Sequence, residues 1–252
     1  MRKSTALRSK LKFCAAVSTE RQLTEALACS NIERVYVPMA LLKHTSELRD
    51  HIHEKCVAVP AAFIGGNETE MREHLCDLKR RGLTAALAHT IGHIELIKQA
   101  QLQIHGGMRL NITNSSALAQ YAALGVYEAV VSIELGLRNM KSLTKPIPCG
   151  FIAYGKLPLM LFRRSNTLLA CDTLTDRLGK RFELLRNADY DEAELLNSVP
   201  LVLSDKLSDF ERCSLDFAVL LLSPDESVLK VVDMYLRGDI PTKDFTRGLY
   251  YK

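Results

Sequence analysis

The chain lacks long apolar runs: across its 252 residues none approaches the eighteen or so that a membrane-spanning helix needs, so no membrane span is expected. Its first ten residues, MRKSTALRSK, are basic and lack the apolar middle of a signal peptide, which leaves a cytoplasmic location as the default expectation. There is no CxxC pair, and the seven cysteines, Cys14, Cys29, Cys56, Cys76, Cys149, Cys171 and Cys213, are odd in number and widely spread. A secreted disulfide framework is therefore not expected, and most of these thiols, sitting in apolar runs, read as small hydrophobes. Charge of one sign is also scarce. A net charge of +4 does not by itself imply a nucleic-acid partner. No Gly-rich phosphate fingerprint follows the first apolar run, which argues against dinucleotide binding. No Ser-centred nucleophile elbow occurs, so a classical triad is unsupported.

What is present is a repeated unit. Leu11 to Val17 is an apolar run ending in Ser18-Thr19-Glu20, after which RQLTEALACS carries apolar residues at helical spacing: strand, cap, helix. RVYVP runs into MALLKHTSELRD, KCVAVP leads to ETEMREHLCDLKRR, and LTAALA to HTIGHIELIKQA. A strand within QLQIHGGMRLNI precedes the helix TNSSALAQYAAL, and YEAVVS precedes IELGLRNMKSL. A seventh strand falls near 147–153, LLNSVPLVLSDKLSDFERC reads as a further short strand and helix, and LDFAVLLL with PDESVLKVVDMYLRG closes the series. Eight strand–helix units predict an α/β fold, a (β/α)8 TIM-like barrel over 11–236, in preference to an open doubly wound sheet.

The seventh unit is interrupted. Between about 154 and 200 two Gly-centred turns, a doubled Arg and a lone Cys crowd together, and this stretch is expected to form a β-rich insertion subdomain after the seventh strand. The closing residues 237–252 have no helical period and are expected to form a loop or tail. Lys79-Arg80-Arg81 reads as the basic end of a helix, complementing its carbonyls.

A barrel of this kind works at the carboxyl ends of its strands, so polar residues just after apolar runs are the candidates. Glu134 and His89 are candidate acid–base groups, and Cys171, beside Asp172 and near arginines, is a candidate thiolate. Asn111, Asn114, Tyr154, Arg163, Arg164 and Arg177 are candidate substrate-binding residues, the arginines by offering a planar fork to a carboxylate or phosphate. Structural readings stand beside each. Ser132 and Glu134 also suit a helix start, one of the two asparagines suits a cap, and Asp176 could pair with Arg177 across a hairpin. His89 and His93 are four apart, but without a third ligand no metal site is expected.

Four blocks, LNITNSSALAQYAALGVYEAVVSIEL, YGKLPLMLFRR, CDTLTDRLGKRFEL and LLNSVPLVLSDKL, resemble the collagenase-like peptidases of peptidase family U32, in the family's order from about Leu110 to Leu207. The resemblance implies a barrel-like catalytic domain with an extra module and a peptide hydrolase of unsettled catalytic type, acting on a peptide or protein. It also implies an alternative, RNA modification by oxygen-independent base hydroxylation, since relatives of that kind hold an iron–sulfur cluster through cysteines of the insertion. This chain reads Arg163-Arg164-Ser165-Asn166 where those relatives place a cysteine, and ELLRNADYDEAELLNS lacks another. With Cys171 alone matched, no cofactor is expected. A third expectation is a barrel without catalysis, docked on other domains of a longer protein.

Overall fold

The computed structural model describes residues 11–45, 48, 51–63, 66–163, 171–187 and 190–251. Its elements follow the repeat: β1 (Lys12–Ala16), α1 (Glu20–Ala28), β2 (Ile32–Pro38), α2 (Met39–His44), β3 (Cys56–Val59), α3 (Glu68–Arg80), β4 (Ala85–Ala88), α4 (Ile91–Gln99), β5 (Gln103–Gly106), α5 (Ser115–Ala123), β6 (Val126–Val130), α6 (Leu137–Ser142) and β7 (Cys149–Gly155). An insertion of four strands follows, β8 (Pro158–Arg163), β9 (Thr173–Thr175), β10 (Arg181–Asn187) and β11 (Glu192–Leu196). The chain then returns through β12 (Leu201–Val202), α7 (Leu207–Arg212), β13 (Phe217–Leu221) and α8 (Val228–Arg237).

Eight parallel strands close on themselves in the order β1 to β7 and then β13, with β13 pairing both β7 and β1 and with β6 pairing β7. This is the (β/α)8 barrel that the alternating runs predict. Strands of such a barrel are covered on both faces, by helices outside and by one another inside, so they read as continuous apolar runs and not as alternation. β4 is the extreme case: its sequence AALA has little strand propensity, yet all four residues are buried, and tertiary placement overrides propensity. The short strand β12 does not join the barrel wall as a ninth parallel member. It pairs antiparallel with the end of β7.

Local signals fix the helices. Thr19 caps α1, its side chain accepting from the Gln22 N–H, and Asn114 caps α5 by accepting from the Ala117 N–H at 2.9 Å; a cap of this kind is worth about 1 kcal/mol. α8 docks through Val228, Val231, Val232 and Tyr235, all buried. The Tyr235 hydroxyl donates to the Ala153 carbonyl at 2.6 Å, which ties the last helix to β7. Past α8 the closing residues run as irregular chain tied to the barrel: Thr246 bridges Leu201, and Arg247 donates to the Val202 carbonyl.

The barrel interior is not uniformly apolar. Toward its amino-terminal end Glu128 of β6, with only 2% of its side chain exposed, lies 3.0 Å from Arg34 Nε and 3.1 Å from His105 Nδ1. The Arg34 guanidinium rests over the Phe217 ring, 4.9 Å from its centre. Phe217 in turn fills the space opposite Gly150, where a Cβ would stand 2.2 Å from the ring, so only glycine fits there. Burial raises the Glu128 carboxyl to about 7, with Arg34 pulling in the other direction. Burial and then Arg34 lower His105 to about 3, so its imidazole is neutral at ordinary pH.

Candidate functional site

At the carboxyl ends of the strands the barrel opens into a cavity of about 610 Å³, within the range of small-ligand sites. Its floor is Val59, Leu87, Val130, Ile152 and Val219, with Tyr36 among them. The insertion forms its roof. β8, β11, β10 and β9 make one antiparallel sheet whose residues Pro158, Leu161, Leu185, Glu192, Glu194 and Leu196 face the cavity. The other face carries a small apolar cluster of Leu184, Ala193 and Leu195 with Phe162, Leu174 and Phe182, so the sheet has a core of its own.

The chain enters the roof through Gly155, whose φ of +113° and lack of a side chain let the backbone turn against Leu221; a Cβ there would meet the Leu221 carbonyl oxygen at 2.1 Å. Asn197 N–H donates to Leu157 O at 2.8 Å, closing the neck. Across the mouth two carboxylates of β11, two residues apart and so on one face of the strand, hold the roof down. Glu192 accepts from the backbone N–H groups of Ala62 and Phe63 at 3.0 and 2.6 Å, in the loop after β3. Glu194 accepts from Arg109 Nη2 at 2.6 Å, in the turn after β5. Burial raises the proton affinity of Glu192 against those two donors. Lys156 pairs with Glu183 at 2.7 Å, and Arg186 with Asp172 at 2.9 Å.

Of the sequence-predicted catalytic residues, His89 alone lines this cavity. Burial, then His93 and Arg109, lower it to about 3, so it presents a neutral ring. His93 does not join it on a metal: its Nδ1 accepts the His89 backbone N–H at 3.0 Å, a contact that ties the chain ahead of α4 to the helix's first turn. Glu134 is exposed. Its N–H donates to Ser132 Oγ at 3.2 Å, and that hydroxyl donates to Asn111 Oδ1 at 2.7 Å, so Ser132 organises the turn after β6, while α6 begins later, behind Gly136. Cys171 is exposed on the insertion, its carbonyl accepting from Arg186 at 2.8 Å, and neither it nor Glu134 is among the residues lining the cavity.

The predicted binding residues divide similarly. Asn114 is spent on the α5 cap, and Asn111 takes the left-handed conformation with φ 51°. The Tyr154 hydroxyl donates to Glu226 at 2.5 Å. Arg163 lies over the Phe63 ring, and Arg164 lies outside the described residues. Arg177 is exposed at the β9–β10 hairpin, where Asp176 accepts from the Leu178 and Lys180 N–H groups at 2.8 and 2.9 Å; the aspartate serves the turn and not an ion pair with Arg177. Sequence reasoning missed Arg109, Glu192 and Glu194. The signal available for the last two was an acidic i, i+2 pair in a strand of alternating character.

The family model for peptidase family U32 matches residues 38–168, slightly more than half of the chain. The chain belongs to peptidase family U32. No curated protein matches it. For this U32 protein, the matched span runs from the end of β2 into the roof and so covers much of the mouth. The iron–sulfur cluster that the resemblance implies does not fit the residues present. Cys171 is exposed, while Cys213 is buried beside α6, its thiol 3.7 Å from the Leu137 carbonyl. Among the described residues no three His, Cys, Asp or Glu side chains converge as a metal site. Burial pushes the thiols of Cys14, Cys56 and Cys149 up to about 12, which makes them inert packing groups. Among the described residues no helix is long and apolar enough to cross a membrane.

Proposed function

We propose that the roofed mouth is the ligand site of this U32 protein and that its ligand is mainly apolar, of the peptide or amino-acid class. The observation that carries this reading is the cavity itself: a branched-aliphatic floor, a roof contributed by a separate sheet, and ion-paired side chains at its edge. Apolar walls with a few convergent polar groups are the usual make-up of a small-ligand site. Peptide hydrolysis, the activity in the family's name, would use this mouth, where His89 presents a neutral imidazole and the hydroxyls of Ser18 and Thr19 serve α1, Ser18 Oγ with Gln22 and Thr19 as its cap. A barrel that binds without cleaving is the second reading, favoured by a cavity lining that contains His89 but neither Glu134 nor Cys171.

RNA contact has less support at the mouth, because Lys156 there is engaged with Glu183 and Arg163 lies over Phe63, while the exposed cations Arg177, Lys180 and Arg181 do not line the cavity. The test is calorimetric titration of apolar dipeptides and of single-stranded RNA into the protein, with product analysis of the peptide mixtures. Saturable peptide binding that is insensitive to salt supports the reading. Salt-sensitive RNA binding without peptide binding would overturn it.

A further inference from the structure

We propose that the corner of the mouth formed by Arg109, Glu194 and His89 receives the head group of a free α-amino acid whose large apolar side chain fills the floor. This deepens the reading of the mouth as a ligand site and rests on it. The corner holds opposite charges in contact, Arg109 Nη2 and Glu194 Oε1 at 2.6 Å, with 22% and 32% of their side chains exposed. A ligand of single charge would draw one member to itself and leave the other without a counter-charge in a half-buried wall, which is unfavourable. A ligand carrying ammonium and carboxylate together exchanges partners instead: its carboxylate takes the guanidinium, its ammonium takes Glu194, and every charge keeps an opposite neighbour.

Spacing selects further. In an α-amino acid the two groups hang from one carbon, matching a guanidinium and carboxylate already in contact, whereas each added residue of a peptide moves them apart by roughly 3.5 Å. The corner is also incomplete as it stands. Arg109 Nε and His89 Nδ1 are buried polar atoms without a hydrogen-bond partner among the described residues, a state that few buried polar atoms tolerate. Glu192 takes no part, since two backbone donors occupy it. Below, the floor offers Val59, Leu87, Val130 and Ile152, and the Tyr36 hydroxyl is engaged by Arg34 and Glu128, so the deep part of the cavity suits an apolar ligand side chain.

The test is isothermal titration of the full chain with phenylalanine and leucine, against N-acetylphenylalanine (anion only), phenylalanine amide (cation only) and 3-phenyl-1-propanol (uncharged). Phenylalanine and leucine are expected to bind, with the two single-charge compounds weaker by at least about tenfold. In the double variant Arg109→Gln/Glu194→Gln the advantage of phenylalanine over the alcohol should vanish. If that variant does not fold, the comparison in the unmodified protein decides alone. N-acetylphenylalanine or the amide binding as tightly as phenylalanine would overturn the head-group assignment and leave the cavity reading intact. Binding by none of the compounds, the alcohol included, would overturn both.

Discussion

Removing either member of the buried Arg34–Glu128 pair should destabilise the barrel, but with different pH dependence. In Glu128→Leu the Arg34 guanidinium, 16% exposed, loses its carboxylate and cannot shed its charge, because arginine stays protonated at all accessible pH. Breaking a buried pair in this way costs about 3–5 kcal/mol once the carboxyl is ionised, above about pH 7. Below that the folded parent gains stability by holding the proton on Glu128, which the variant lacks, so the penalty should be larger at pH 5.5 and level off above pH 7. In Arg34→Met the survivor is a carboxyl already raised by burial to about 7, and loss of Arg34 raises it further. Below pH 7 it is protonated in the folded state of both proteins, so the charge costs little and mainly the packing over Phe217 is lost. Above pH 7 the parent has released its proton in both folded and unfolded states and its stability levels off. The variant still holds a proton only when folded, so its stability keeps falling by up to about 1.4 kcal/mol per pH unit. Urea unfolding of the parent and both variants at pH 5.5, 7 and 8.5 measures this directly. Penalties that are equal for the two variants and independent of pH would refute the placement of the pair inside the barrel.

Three further outcomes are expected. His89, His93 and His105 have proton affinities lowered by burial, to about 3, 4 and 3. The unfolded chain therefore takes up protons near pH 6.5 that the folded one refuses, and stability should fall as pH drops from about 6.5 toward 4, with Glu128 opposing only partly; a melting temperature that stays constant or rises over that range would contradict it. Gly150→Ala must displace the Phe217 ring, and overpacking of this kind costs about 1–3 kcal/mol or more, read as a lower urea midpoint. Glu192→Ala strands the N–H groups of Ala62 and Phe63, worth about 1–3 kcal/mol. It should loosen the roof, so limited proteolysis would cut within the insertion faster than in the parent while the barrel stays whole; unchanged cleavage would mean that Glu192 does not hold the roof.

The barrel was legible because its strands are short apolar runs spaced by helical ones, and the insertion because Gly155 and the residues after it break that period. The site was legible in location and not in composition. Looking just past each strand finds His89, which lines the mouth, but the same rule selects Asn114 and Glu134, which the chain uses for a cap and a turn. The groups that hold the roof, Glu192 and Glu194, lie inside the insertion, and nothing local says that their strand will lie across the mouth from Arg109 and Ala62. Arg34 and Glu128 are charged residues in strands, a pattern that suggests solvent exposure until closure of the sheet turns them inward.

The central claim is that the roofed mouth binds an apolar ligand, and the chain contains no tryptophan, which allows a direct test. Leu185→Trp places the sole indole on the roof strand β10, where Leu185 lines the cavity. The expected result is a saturable change in its emission as an apolar amino acid or dipeptide is added, with the unfolding transition shifted to higher temperature in parallel. Emission and melting temperature that stay unchanged through millimolar ligand, in a variant that folds like the parent, would contradict the claim.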